Sequence, residues 1–146
     1  MFKTTLMAAL LLGAPALAEV NSKPSDKSVE ETMTDLMAAV TGAGATVFAV
    51  VDHAAGGAEA GFEMEPAQLL IFGNPKLGSQ AIIDDPRAGL VLPLRVEVLS
   101  VDGVTQVVWA DTATLFDGLS IAADAPYRAQ IDSALDKLTD AAVAKN

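Results

Sequence analysis

The chain contains no cysteine, and this absence excludes several kinds of chemistry. Without a thiol the protein forms no disulfide, no thiolate metal site and no cysteine nucleophile. It has a single histidine, which argues against zinc, because zinc sites usually take two or three His or Cys ligands. One Trp and one Tyr in 146 residues provide no aromatic series for stacking nucleic-acid bases. The GxSxG pattern of serine hydrolases and the glycine-rich pattern of phosphate loops are also missing.

Basic residues are scarce as well. Nine Lys and Arg stand against 19 Asp and Glu, which gives a formal net charge of −10. A protein of this charge is repelled by nucleic acid and by anionic membrane surfaces. We therefore expect neither as a partner of the mature chain.

Residues 1–18 have the three parts of a secretory signal peptide. Lys3 supplies the positive start, residues 6–12 the apolar core, and Ala-Leu-Ala at 16–18 the cleavage site. The apolar run is shorter than the roughly 20 residues that a membrane-spanning helix needs. We predict cleavage after Ala18, a periplasmic or extracellular location, and a single domain over residues 19–146. Removal of 18 residues leaves 128, and the loss of Lys3 takes the net charge from −10 to −11.

Two longer helices are predicted from apolar residues at helical spacing. The first begins with a capping box of Ser28 and Glu31 and ends near Gly42 and Gly44. The last begins at Asp124, with a proline in its first turn. Its apolar stripe consists of Tyr127, Ile131, Leu135, Leu138 and Ala142.

Two further runs predict strands. Residues 46–51 are apolar on both faces, which favours a central position in a sheet, and residues 69–72 form a second buried strand. Residues 62–65 alternate as a strand would, and Ser79 is expected to cap a short helix over residues 80–84. Residues 19–27 fit either an edge strand or a disordered arm.

The clearest local signal is a hairpin around Asp102-Gly103, the dipeptide of a two-residue type I′ turn. Strands over residues 94–101 and 104–110 then pair so that Val101 faces Val104. The core side of this hairpin is predicted to carry Leu94, Val96, Val98, Val107 and Trp109. The order of elements predicts an α+β fold, with an antiparallel or mixed sheet of four to five strands and the longer helices packed on one face.

His53 is the first candidate functional residue, because it follows a strand end in a loop of small residues. It is compatible with a general base that Asp52 orients, with a ligand or metal contact, or with a purely structural histidine. A hard cation bound by Asp52, Glu59, Glu63 or Glu65 matches no calcium-loop spacing, so no metal site is predicted. Glu63 and Glu65 would share one face of a strand, where a solvated surface is favoured over acid–base chemistry.

The second candidate is the turn Gly73-Asn74-Pro75 with Lys76 beside it. Amide groups at a helix start can hold an anion, and Lys76 would assist. The alternative is a rigid turn that only ends a buried strand. Gly73, Asn74 and Lys76 are the predicted ligand contacts, together with His53.

Three motifs carry a resemblance to a known family: Asp52-His53, the PxxLLIFGNP segment at residues 66–75, and Leu92-Pro93-Leu94. With them the chain resembles a secreted bacterial member of the family called domain of unknown function 302. The resemblance implies a small α+β domain, somewhat like the TATA-binding-protein topology, and a homodimer. It implies no established reaction, ligand or cofactor.

We therefore expect a secreted domain that binds a small ligand or a protein partner where His53 and Asn74 share one sheet edge. The alternatives are a hydrolase- or lyase-type enzyme with His53 as general base, and a structural homodimer.

Overall fold

A computed structural model describes residues 20–145, so the predicted signal peptide lies outside the described residues. The fold is built on a five-stranded sheet in which every neighbouring pair is antiparallel. In chain order the strands are β1 (Val20–Ser25), β2 (Thr46–Asp52), β3 (Ala67–Gly73), β4 (Leu94–Val101) and β5 (Val104–Ala110). Their spatial order is β1-β5-β4-β3-β2, which places the first two strands of the sequence at opposite edges.

Five α-helices and one short 3-10 helix connect these strands in the described chain. They are α1 (Val29–Gly42), α2 (His53–Glu59), α3 (Pro75–Asp84), the 3-10 helix (Pro86–Leu90), α4 (Thr112–Leu115) and α5 (Pro126–Val143). None of the helices within residues 20–145 combines the length and hydrophobicity needed to span a bilayer.

Helices α1 and α5 pack together over the sheet and bury the core between them and the strands. The α1 capping box is confirmed: the Ser28 hydroxyl accepts from the Glu31 amide at 3.2 Å, and the Glu31 carboxylate accepts from the Ser28 amide at 3.0 Å. All five residues of the predicted α5 stripe are buried. The prediction of an α+β fold is confirmed, with an antiparallel sheet and both long helices on one face.

The predicted hairpin is confirmed in its register. Val101 pairs with Val104, Val98 with Val107 and Val96 with Trp109. Asp102 and Gly103 have φ of 52° and 77°, the left-handed values that a type I′ turn requires.

Glu65 lies against this turn, where its carboxylate accepts from the amides of Asp102 at 3.1 Å and Gly103 at 3.2 Å and from the Ser100 hydroxyl. Residues 62–65 form no strand, so the expectation that Glu63 and Glu65 share a strand face was wrong. Glu65 instead ties the loop before β3 to the hairpin.

Two further predictions about the elements were wrong. Strand β2 is an edge strand rather than a central one, and all of its residues except Val47 are exposed. Helix α3 begins at Pro75, not after Ser79, because Asn74 already caps it. The open alternative at the start of the chain is decided for residues 20–25, which form edge strand β1 against β5.

Candidate functional site

His53 and Asn74, which were expected to share one edge of the sheet, lie at opposite ends of the strand pair β2–β3. Strands β2 and β3 run antiparallel, with Asp52 paired to Gln68 at one end and Thr46 paired to Gly73 at the other. His53 follows the first end and Asn74 the second, so about 20 Å of strand separates them at roughly 3.3 Å per residue. The expectation that the two residues frame one pocket was wrong, because an antiparallel partner reverses direction.

His53 opens helix α2 and is exposed. The Asp52 carboxylate does not orient it: Oδ1 accepts from the Ala55 amide at 2.8 Å and Oδ2 from the Gln68 side chain at 3.1 Å. These two hydrogen bonds, in that order of importance, lower the pKa of Asp52. Asp52 therefore acts as the N-cap of α2, and a catalytic role for His53 stays a prediction.

The Gly73-Asn74-Pro75 turn starts α3, and Asn74 accepts hydrogen bonds from the first amides of that helix. The Asn74 side-chain oxygen accepts from the Lys76 amide at 3.0 Å, and its carbonyl accepts from the amides of Leu77 and Gly78 at 3.0 Å each. The amides of Lys76, Leu77 and Gly78 are therefore taken by Asn74 and are not available to hold an anion. Pro75 fits the first helical position, where a missing N–H costs nothing.

Gly73 has a packing role at this turn. A Cβ at this position would lie 3.3 Å from Cε2 of Phe48 and 3.5 Å from Cβ of Pro93. Its absence lets the Phe48 and Pro93 rings approach the end of β3 from two sides. The glycine thus shapes the wall of the cavity that opens here.

This cavity has a volume of about 800 Å³ and lies between α3, α5, the end of α1 and the adjoining ends of β3 and β4. It falls within the range of about 300–1,000 Å³ that small-molecule sites occupy. The core residues Phe72, Ile131 and Leu138 form part of its lining, while Phe48 and Ile82 at its surface are 57% and 40% exposed. Its other apolar lining residues include Leu77, Leu92, Pro93, Leu94 and Ala134.

Few polar residues line the cavity, and they lie on two helices. Asn74 and Ser79 belong to the α3 side, and Gln130, Ser133 and Lys137 to α5. Lys137 is the single charged residue of the lining. An apolar space with a small number of polar groups at its border is typical of a site for a small organic ligand.

Metal binding has no support in the described residues. Across residues 20–145 no group of three or more His, Asp or Glu side chains is arranged to hold an ion. Glu65 is engaged by the hairpin and Asp52 by α2, which accounts for two of the four carboxylates considered from the sequence.

The sequence indicated the wall of the cavity at the Asn74 turn but not the wall formed by α5. The Asn74 turn was singled out, but Gln130, Ser133 and Lys137 were assigned no role. The available signal was the series of small and polar residues at 129, 130, 133, 134 and 137, a helix face without large apolar side chains inside an otherwise packed helix.

A second unusual surface is the free edge of β2. Phe48, Val50 and Val51 are 57%, 40% and 38% exposed, and the nearby Phe62 and Met64 are 66% and 52% exposed. Residues 46–51 carry no charge. The opposite edge, β1, carries Lys23 and Pro24, which are residues that protect sheet edges from pairing.

An antiparallel sheet covered on one side by two long helices, with an apolar cavity beside the helix layer, defines a small α+β domain. The chain belongs to the family described as "Domain of unknown function DUF302", whose model matches residues 21–142. The crystal structure of the uncharacterized conserved protein DUF302 from Bacillus stearothermophilus has the same fold. It superposes with a TM-score of 0.77 at 18% identity and covers 84% of this chain and 97% of its own.

Curated relatives are much longer proteins. The chain is 44% identical over 71 residues, 49% of its length, to proteins called fluoride-specific ion channel FluC 1 in Brucella suis and in Brucella abortus. The match spans 28% and 26% of those two relatives.

Proposed function

We propose that this protein is a secreted binding domain that takes a small, largely apolar ligand into the cavity beside the Asn74 turn. The observation that carries the proposal is the cavity of about 800 Å³, lined mainly by apolar residues. Burial of apolar ligand surface against such a lining is worth roughly 25 cal/mol per Å².

A cavity of this size, open to solvent on one side, is an unusual feature beside a packed core. Protein interiors otherwise leave few gaps larger than a water molecule. The polar residues sit on α3 and α5, so a ligand entering between these helices finds groups that fix its orientation.

Binding of the neutral apolar dye Nile red to the purified protein tests the proposal. We expect a saturable rise in dye fluorescence, since the dye emits more strongly in an apolar site. The variant Gly78→Leu should reduce it, because Gly78 lines the cavity and a Cβ there lies at ordinary contact distance, 3.7 Å from Cδ1 of Leu92. The larger side chain fills space without a backbone clash, and leucine favours a helix more than glycine does.

The matched control is Gly56→Leu in α2, where an added Cβ meets no atom within 4 Å and which does not line the cavity. This variant should bind the dye as the wild type does. An equal loss in both variants, or binding that never saturates, would contradict the proposed site.

We further propose that the protein forms a homodimer through the β2 edge. Strand β2 has an unpaired backbone edge and exposed apolar side chains on both faces. An antiparallel strand can pair with its own copy across a twofold axis, which gives a closed and symmetric contact. The protected β1 edge offers no equivalent surface.

Sedimentation velocity over a dilution series tests this contact. Val50→Lys should shift the protein to monomer, because a lysine on an edge strand opposes pairing. Val104→Lys is the control, since Val104 is 50% exposed but lies at the hairpin turn. A wild-type protein that is monomeric at all concentrations would refute the dimer, as would equal dissociation of both variants.

Export is part of the proposal and rests on the sequence of residues 1–18. The positive start, apolar core and small-residue cleavage site support it.

Fluoride transport is not proposed for this chain, because the matching segment makes up 26–28% of the relatives that carry that name.

A further inference from the structure

We infer that the ligand is an amphiphile with one anionic head and an apolar body, and that Lys137 at the border of the cavity receives the head. The inference rests on the proposed binding function and adds the chemical class of the ligand. It starts from the charge of the lining: this acidic chain has 19 Asp and Glu, yet the cavity is lined by no acidic residue and by one lysine.

The acidic residues of α5 all have partners other than Lys137. Asp132 accepts from the amide and hydroxyl of Thr112 at 2.8 and 2.7 Å. Asp136 and Asp140 each accept from the Lys23 ammonium group at 2.6 Å. The carboxylates nearest to Lys137 along the helix are therefore engaged elsewhere.

Lys137 itself takes part in no ion pair or hydrogen bond seen within residues 20–145. Lys23 and Lys27, by contrast, are both paired with carboxylates. An ammonium group that borders an apolar cavity and lacks a protein partner has the charge that complements an anionic ligand head. Its long aliphatic stem can lie along the apolar lining while the charge stays in water.

Three other polar residues of the same lining extend this arrangement. The side-chain oxygen of Asn74 is used by the Lys76 amide, but its NH₂ group remains available to donate. On α5, Ser133 precedes Lys137 by one helical turn and Gln130 precedes it by two. Gln130, Ser133 and Lys137 therefore lie on one face of this helix. A carboxylate near Lys137 would have neutral hydrogen-bond donors beside the cation.

Three dodecyl probes that share one apolar chain and differ in head charge test the inference: dodecanoate, dodecanol and dodecyltrimethylammonium. Each is measured below its aggregation concentration by displacement of Nile red. We expect Lys137→Gln to weaken dodecanoate roughly two- to fivefold, the range of an exposed ion pair, and to leave dodecanol unchanged. The same variant should strengthen dodecyltrimethylammonium, because a like charge is removed.

Two variants separate the local charge from the charge of the whole protein. Arg95→Gln removes the same charge from an exposed residue of β4 that does not line the cavity, and should change none of the three probes. Lys137→Arg keeps the charge and should bind dodecanoate like the wild type. Longer carboxylates should bind more tightly, by about fourfold per methylene that becomes buried.

The outcomes distinguish failure of the anionic ligand class from failure of the apolar binding site. If dodecanol binds but Lys137→Gln leaves dodecanoate unchanged, or weakens all probes equally, the anionic class is overturned while the apolar site stands. If Arg95→Gln has the same effect as Lys137→Gln, the charge preference does not belong to Lys137 and the inference is overturned. If neither Nile red nor any dodecyl probe binds, the proposed function itself is refuted.

Discussion

At the scale of single residues, the side chains singled out by the sequence mostly serve the start of a helix. Asp52 caps α2 and Asn74 caps α3, each through a side-chain oxygen that accepts from a backbone amide two or three residues on. Such capping fixes the direction in which the chain leaves the strand. The Asn74 turn therefore forms part of the cavity wall, whereas Asp52 serves α2 at the other end of β2. Any ligand contact by Asn74 comes in addition to its role as a cap.

Two variants of Asn74 separate these roles. Asn74→Ala should lower the free energy of unfolding by about 1 kcal/mol, because the cap is lost, whereas Asn74→Ser should keep most of it. Urea denaturation gives these values, and Nile red displacement by dodecanoate gives the binding. Weaker dodecanoate binding by the stable Ser variant would assign a ligand contact to the amide group, and equal stability of both variants would contradict the cap.

Asp85 is the most strongly engaged carboxylate. It is 4% exposed and accepts from the Arg87 guanidinium at 2.7 and 3.0 Å and from the amides of Ser120 and Arg87 at 2.8 and 2.9 Å. The Arg87 side chain first, and then these amides, hold the pKa of Asp85 well below its usual value. The carboxylate joins the end of α3 to the segment before α5.

Asp85→Asn should lower the melting temperature by several degrees at neutral pH, because the charged acceptor is lost. A depressed folded-state pKa stabilises the protein above the unfolded value, about 3.9, and this contribution disappears as the pH falls further. The difference between wild type and variant should therefore shrink below about pH 4. Asp124→Asn, an exposed control with the same charge change, should melt like the wild type at every pH.

At the scale of elements, the local parts of the fold could be predicted from the sequence and the position of β2 could not. The Asp102-Gly103 turn determines the hairpin register by its own geometry, and the α5 stripe shows the buried face directly. Strand β2 is apolar on both faces, which is typical of a central strand, yet it lies at the edge. The proposed dimer would cover this apolar surface, and a contact between two copies is something that no local sequence pattern reports.

The wall of the cavity formed by the Asn74 turn could be predicted, because a local sequence pattern marks it, and the wall formed by α5 could not. Asn74 stands at a strand-to-helix turn that the sequence marks with Gly73 and Pro75, whereas Lys137 lies on a helix whose polar face looks like ordinary solvated surface. Only the packing of α5 beside α3 makes that face the wall of a cavity. The pairing of His53 with Asn74 failed because it ignored the reversal of direction between β2 and β3.

The turn between β4 and β5 can be tested for backbone strain at Gly103. Gly103 has φ of 77°, so Gly103→Ala should lower the free energy of unfolding by roughly 1–2 kcal/mol through backbone strain. Gly42→Ala, in the last turn of α1 with no atom within 4 Å of the added Cβ, should be neutral or slightly stabilising. Chemical denaturation of both variants measures the contrast, and equal effects would exclude strain at the turn.

At the scale of the whole molecule, the proposed export and the proposed binding of an apolar ligand are compatible with the formal net charge of −10. An acidic surface keeps a protein with an exposed apolar edge soluble. The cavity lies near strand β2 and the ends of β3 and β4, away from strand β1 at the opposite edge of the sheet. Phe48 of β2 lines the cavity, so the proposed ligand site and the proposed dimer contact would adjoin each other at this residue.

Expression of all 146 residues in a Gram-negative host tests export directly. We expect the protein in the periplasmic fraction with Glu19 as its first residue, because the Ala-Leu-Ala sequence at 16–18 directs cleavage there. N-terminal sequencing and intact mass give the processing site, and Ala18→Pro should block it. A full-length product that stays in the cytosol would refute the signal peptide.

The pairing of β1 with β5 has a consequence for how the chain folds as it is made. Ser25 pairs with Thr105 and Val20 with Ala110, so the first strand must wait for partners 80 to 90 residues later. At synthesis rates of about 5–20 residues per second, that wait lasts roughly 4–18 s. Contacts of such high contact order also close slowly. The sheet cannot be completed on a nascent chain until the final hairpin has left the ribosome, and an interval without a finished fold is what passage through a narrow translocation channel requires.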